Sequence, residues 1–352
     1  MWGAFDGPSM AHTIDCAYAE IVHSRRNLFL LSSGRDFIRE QTRLFSSYAE
    51  CKPFERITLK AAMTMPSLLL QKPCATSKAK DHVKCLERRL HLWSAGDIDG
   101  LMQEGRIIQQ HLSRTTPKPH NQQDRLTRIF ARLMFEGKVR AALRLLLHHD
   151  SVGVLNLDHE INGVPVGEIL KDKHPPAQPA NPSTLLPTSA CTVEFHPVLF
   201  GQVNGDMIRS AALQVNGSAG PSGVDAVGWR RMCTAFQDAS KDLCDALAAV
   251  ARCISTTFVD PAGLAAFIAC RLIPLDKQPC VRPIGISETM RRIVSKVILR
   301  VTKAAIQSAV GSLQLCAGQD AGCEAAIHAE RSSRVRTHRV SCWLMQVMRS
   351  TV

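Results

Sequence analysis

Eight cations crowd residues 271–303: Arg271, Lys277, Arg282, Arg291, Arg292, Lys296, Arg300 and Lys303, opposed only by Asp276 and Glu288. Arginine offers a planar fork of donors and lysine a point charge, so a row of them suits phosphate oxygens. Arg292, Lys296, Arg300 and Lys303 fall at i, i+4, i+8 and i+11, one continuous face of a helix. Like charges at that spacing cost an isolated helix a few tenths of a kcal/mol per pair. A stripe facing phosphate explains the row better than neutral decoration, the competing reading being a solvated helix face. Upstream, Gly217-Ser-Ala-Gly-Pro-Ser-Gly-Val-Asp225 precedes a helix, so its backbone N–H groups could meet a phosphate. No Gly-Lys-Ser/Thr follows, so it is not a P-loop, and a flexible turn is the plainer reading.

The elements that position these groups can be read from the pattern. Arg271-Leu-Ile-Pro-Leu-Asp-Lys277 and Val281-Arg-Pro-Ile-Gly-Ile286 are short apolar runs either side of Pro279-Cys280, which predicts a β-hairpin. Ser287 is placed to cap a long helix to about Val310, with Ile293, Val297, Leu299, Val301 and Ile306 available for a core. Leu243, Leu247, Val250 and Ile254 mark one face of a helix over Ser240–Ser255, and Pro261 is placed to open a short one. Gly205 to Val215 reads as a helix, and another runs through Trp229-Arg-Arg-Met232.

The chain is helical from Phe54. Leu86, Leu90 and Trp93 recur at i, i+4 and i+7; Gly96-Asp97 breaks that helix and caps the next, which carries Ile98, Leu101, Met102, Ile107, Ile108 and Leu112. Thr115 to His120 is a linker, and Asp124 to His149 predicts two packed helices joined near Gly137. Residues 1–53 show weak periodicity and read as a loosely ordered extension. The expected division is a helical region over 54–170, a Pro-rich linker over 171–200, a basic region over 201–329 and a tail over 330–352. The fold class expected is α+β, predominantly helical.

The 352 residues carry a formal net charge of +12. That favours a polyanionic partner, nucleic acid before an acidic membrane surface. Thirteen cysteines include no C-x-x-C pair, and the adjacent His148 and His149 point about 100° apart on a helix, so neither pattern predicts a metal site. Residues 1–24 lack the basic-then-apolar order of a signal peptide, and the run Leu28–Leu31 is too short to span a bilayer. A soluble intracellular protein, nuclear or cytoplasmic, with no membrane and no specific protein partner, is expected.

Several of these segments occur in a fixed order: Leu68-Leu-Leu-Gln-Lys-Pro73, Leu86-Glu-Arg-Arg-Leu90, Gly220-Pro-Ser-Gly-Val-Asp225, the two hairpin runs, Arg291-Arg-Ile-Val-Ser-Lys296, Leu313-Gln-Leu-Cys-Ala-Gly-Gln319 and Gly322-Cys-Glu-Ala-Ala-Ile-His328. Over about residues 54–329 the set resembles the reverse transcriptase, an RNA-directed DNA polymerase, of non-LTR-type retroelements. The resemblance implies the fingers and the start of the palm of a right-hand polymerase fold. It implies an RNA template and a DNA primer as partners. Arg271, Lys277 and Arg282 would bind nucleotide, with Lys277 and Arg282 lining its triphosphate. Gly220, Gly223, Arg291, Arg292, Lys296, Arg300 and Lys303 would lie near nucleic-acid backbone.

An intact enzyme of that family uses Mg2+ held by palm carboxylates. Here neither Tyr18 nor Tyr48 is followed by x-Asp-Asp, and no Phe serves. The chain is therefore expected to be catalytically inactive, with no metal bound specifically; a non-catalytic nucleic-acid-binding protein is the alternative. The tail can be read in another frame. One nucleotide upstream, Trp343 must become Leu and Gln346 must become Ala, while the codon across Met345 can encode Asp. The last ten residues can then read Leu-Val-Asp-Ala-Ser-Asn-Ala-Phe-Asn-Ser, which resembles the first catalytic-aspartate motif. A frame slip between about Ala329 and Val340 is the expectation.

Overall fold

The computed structural model describes residues 8–23, 27–29, 34–50, 55–74, 76–114, 120–151, 153–174, 197–257, 259, 263–277, 280–310 and 324. Over these residues the protein is predominantly helical, with two small antiparallel sheets. The N-terminal half contains α1 (Pro8–His23), α2 (Arg35–Ala49), α3 (Glu55–Leu69), α4 (Ala79–Ala95), α5 (Ile98–Arg114), α6 (His120–Phe135) and α7 (Val139–Ser151). A two-residue hairpin, β1 (Glu160–Ile161) and β2 (Val164–Pro165), leads into α8 (Val166–Lys173). Then follow α9 (Pro197–Gly201), α10 (Gly205–Gln214), α11 (Ala226–Thr234), α12 (Asp238–Thr256), α13 (Ala265–Ile268), the hairpin β3 (Cys270–Lys277) and β4 (Cys280–Ser287), and α14 (Thr289–Val310).

α3 is apolar almost all round and is buried accordingly, with Leu59, Ala62, Met63, Met65, Leu68 and Leu69 in the core. Pro66 lies inside it and removes the N–H that would reach the carbonyl of Ala62. The buried amide of Gln41, on α2, donates to that carbonyl at 3.4 Å. Where α3 ends, Arg89 of α4 does similar work. Its guanidinium, 1% exposed, donates to the carbonyls of Leu69 (2.9 Å) and Gln71 (2.5 Å) and pairs with Glu104 at 2.8 Å. Gly96, at φ 78°, closes α4, and Asp97 accepts the N–H of Gly100 at 2.9 Å. The stop and cap read at Gly96-Asp97 therefore stand, while Ile107 is 49% exposed rather than in the core.

The reading of residues 1–53 as a loosely ordered extension gives way over Pro8–His23 and Arg35–Ala49. Both are helices, and they carry Ile14, Ala17, Ile21, Phe37, Ile38, Leu44, Phe45 and Tyr48 into the core. In α2 the buried positions 37, 38, 41, 44, 45 and 48 follow the helical repeat, and this face packs on α12. α12 buries several small side chains, Ala239, Ala246 and Ala251 among them, which suits close packing by neighbouring helices. One apolar cluster runs from Ile14 to Val297, so the core spans both sides of the segment read as a linker. That segment, 171–200, begins inside α8 and ends inside α9, and residues 175–196 of it lie outside the described residues.

β3 and β4 pair from Cys270↔Ser287 to Lys277↔Cys280, which puts Cys280 in the strand and leaves residues 278 and 279, outside the described set, as the connection. Ser287 closes β4 rather than capping α14; the first turn of α14 hydrogen-bonds to Glu288, whose carbonyl accepts from the N–H of Arg292 at 3.1 Å. Ile293 and Val297 are buried as expected, but Leu299 is 60% exposed. Pro261, where a short helix was expected to open, lies outside the described residues, and α13 is described over Ala265–Ile268. The outer half of the hairpin rests on a small separate cluster, where Val281 packs on Val166 and Leu170 of α8. The chain at 153–155 adds to its β3 edge: Leu155 N–H donates to Pro274 O at 3.0 Å, and Asp276 N–H to Gly153 O at 3.1 Å. Among the described residues no helix is long and apolar enough to cross a membrane.

Candidate nucleic-acid interface

Three elements meet at the head of α14: the glycine loop 217–225, the foot of the β3–β4 hairpin, and the helix itself. Glu288, 0% exposed, is the joint. One carboxylate oxygen accepts the backbone N–H of Ser222 at 2.5 Å and the other its hydroxyl at 2.7 Å. Beside it, the Thr289 hydroxyl donates to Val224 O at 3.0 Å. Arg292 donates to Asn216 O at 2.8 Å, Ser218 O at 2.5 Å and the Thr289 hydroxyl at 2.7 Å. The Ser67 hydroxyl, from α3, donates to Ser222 O at 2.6 Å.

Gly220 is required here by contact. A Cβ at this position would lie 2.7 Å from the Cα of Glu288. Gly223 is required by conformation, its φ being +79°. The N–H of Gly223 goes to Gly220 O, and that of Val224 to the Ser222 hydroxyl. Asp225 caps α11 by accepting the N–H of Gly228 at 2.8 Å. The N–H groups of Ser222, Gly223 and Val224 are thus used within the joint, and Gly220 and Gly223 have a packing role there.

Burial pushes the Glu288 carboxyl up to about 7, against the pull of Ser222, Arg292 and Arg271. Tyr18 of α1 is raised to about 12, first by burial and then by the charge of Glu288. Tyr18 of α1 thus lies within reach of the Glu288 charge. Sequence reasoning missed this knot. Its signal was Glu288 itself, a lone acid at the head of a basic helix.

The basic residues divide into two sets. By strand register Arg271, Lys277 and Arg282 share one face of the hairpin, with Arg271↔Ile286 and Leu275↔Arg282 paired. Lys277 and Arg282 are close neighbours near the tip. Arg271 is six residues away, about 20 Å along the strand, and lines a cleft of about 670 Å³ with the glycine loop and Leu28. The three therefore do not converge on one phosphate group.

On α14 the basic arc lies opposite the buried side formed by Met290, Ile293, Val294 and Val297. Arg292 is turned to the loop. Arg291 holds Ile268 O at 3.0 Å, and Arg300 makes long contacts to Ser210 (3.5 Å) and Gln214 (3.4 Å) of α10. Lys296 lines a groove of about 520 Å³ with Arg291, Arg292, Ser287, Ser295, Cys270 and Leu299. Lys303 continues the arc and is exposed. Leu299 falls on this same arc, which explains its exposure.

Magnesium, implied for an intact family enzyme, finds no fitting set of ligands among the described residues: no three His, Cys, Asp or Glu side chains come together as a metal needs, and Glu288 uses both oxygens on Ser222. The segments Leu313–Gln319 and Gly322–His328 and the tail 330–352 lie outside the described residues, save Glu324, which is helical. No family model, no curated protein and no solved structure matches this chain.

Proposed function

We propose that the chain is part of the RNA-directed DNA polymerase of a retroelement, comprising its fingers and the helices behind them, and that it binds nucleic acid along the basic face of α14 and the hairpin. The ordered motifs carry the family reading. One arrangement supports binding: Lys296 and Arg291 line an open groove on the side of α14 away from the core, at the foot of a hairpin with Lys277 and Arg282 near its tip. Alone, the chain is proposed to bind without polymerising, since its 352 residues hold no Tyr/Phe-x-Asp-Asp.

Fluorescence anisotropy with a labelled RNA–DNA primer-template tests this. Binding should weaken linearly in log salt, and the double reversal Lys296→Glu/Lys303→Glu should lower affinity about 10-fold and reduce the slope by about 2. Affinity of the double variant equal to that of the unaltered chain would sink the reading. Sequencing the source DNA across the codons for residues 311–352 tests the family assignment. An upstream frame encoding Asp across the Met345 codon supports it; otherwise the non-catalytic nucleic-acid-binding protein takes its place.

A further inference from the structure

α6 and α7 form an antiparallel helical arm that packs chiefly on itself. Its turn holds Gly137 at φ +69°. Phe135, at the tip, is 94% exposed, and Met134 and Val139 beside it are exposed too. Arg128, Arg132, Lys138 and Arg140 surround this apolar tip, all of them exposed. The acid among them, Glu136, is held by Lys138 at 2.8 Å and lies 3.9 Å from Arg132. Between residues 120 and 151 there are six basic side chains and three acidic ones. An apolar knob in a basic collar is complementary to a polyanion whose interior is apolar and flat.

The arm is also rooted beside the hairpin. α7 ends at Ser151, and the chain immediately after it pairs with β3 through Gly153, Val154 and Leu155, next to Leu275 and Asp276. Thirteen helical residues span about 20 Å, so the arm's tip stands that far from the part of the hairpin that carries Lys277 and Arg282. One nucleic-acid strand lying on the hairpin can reach both.

We infer that the α6–α7 arm is a second nucleic-acid contact, in which Phe135 stacks on or between bases while Arg128 and Arg140 hold the flanking phosphates. The inference rests on the nucleic-acid-binding reading of the hairpin and α14. Exposed Phe, Leu and Met side chains are used in this way as wedges between base steps, and aromatic stacking holds unpaired bases regardless of sequence.

The test uses the full chain and a primer-template duplex with an overhang, carrying 2-aminopurine at positions around the junction. Arg128→Glu/Arg140→Glu should lower affinity about 10-fold and the salt slope by about 2. Phe135→Ala should keep the slope and lose the rise in 2-aminopurine fluorescence that the unaltered chain gives. Both changes are on exposed positions, and circular dichroism checks that each variant is folded. If both variants behave like the unaltered chain while Lys296→Glu/Lys303→Glu weakens binding, the arm has no such role and the proposed function stands without it. An unchanged 2-aminopurine signal in Phe135→Ala alone also overturns the inference. So does loss of binding to phosphatidylserine vesicles in Phe135→Ala with nucleic-acid binding intact, which makes the arm a membrane contact. If the unaltered chain binds no nucleic acid, both readings fall.

Discussion

Glu288 carries more of the architecture than any other single carboxyl in the basic region, because it fastens the glycine loop to α14 from inside the protein. Folding raises its pKa from 4.5 to about 7. The folded state therefore binds this proton more tightly than the unfolded state does. The group's contribution to stability is most favourable below pH 4.5 and is lost as pH climbs through 7. The size of the effect is about 3 kcal/mol. Glu288→Gln keeps an oxygen for the Ser222 N–H and lets the Ser222 hydroxyl turn to accept from the new amide. Its melting temperature should be close to that of the unaltered chain at pH 5 and several degrees above it at pH 8. Equal pH dependence in the two proteins would show that the carboxyl is not the group that titrates. Arg89 poses the opposite case, a buried cation with Glu104 and two carbonyls as partners. Arg89→Leu takes this donor from the carbonyls of Leu69 and Gln71 and leaves Glu104 with Arg88 alone, and should cost about 3 kcal/mol, read as a shift in the urea midpoint.

At the scale of elements, removing residues 1–53 tests how far α1 and α2 belong to the core. Without them the faces of α12 and α3 that bury Leu243, Leu247, Leu59 and Met63 lose their partners. A chain starting at Phe54 should aggregate or show no cooperative melt by circular dichroism. A sharp transition near that of the full chain would mean the two helices are dispensable. The sequence made other elements plain. Gly96-Asp97 is a stop and a cap in two residues, Leu243, Leu247 and Val250 recur at helical spacing, and the paired apolar runs around Pro279-Cys280 read as a hairpin, though Cys280 itself falls in the strand. α2 was harder because its buried face includes Gln41 and Tyr48, polar by type, and Gln41 donates to a carbonyl that Pro66 of another helix leaves without its helical N–H. The same limit applied to the basic helix. Spacing put Arg292, Lys296, Arg300 and Lys303 on one arc. The fact that Arg292 turns back to the glycine loop depends on a contact 74 residues away in sequence.

Across the whole molecule, a single apolar cluster joins α1 to α14, and the basic groove is built on the last helix of that cluster. A ligand held in the groove is bound only while the core is intact, so its binding energy should appear as stability of the entire core. At a free concentration 100 times its Kd, that linkage is about 2.7 kcal/mol. Scanning calorimetry of the chain should therefore show one main transition, moved upward as a unit by a primer-template duplex at low salt. The shift should shrink as salt displaces the polyanion. A chain organised as separate helical and basic domains would behave differently: two transitions, of which the ligand moves only one. The Lys296→Glu/Lys303→Glu variant separates ligand linkage from nonspecific effects of a polyanion on the unfolded chain, because it should melt like the unaltered protein without ligand and lose most of the shift with it.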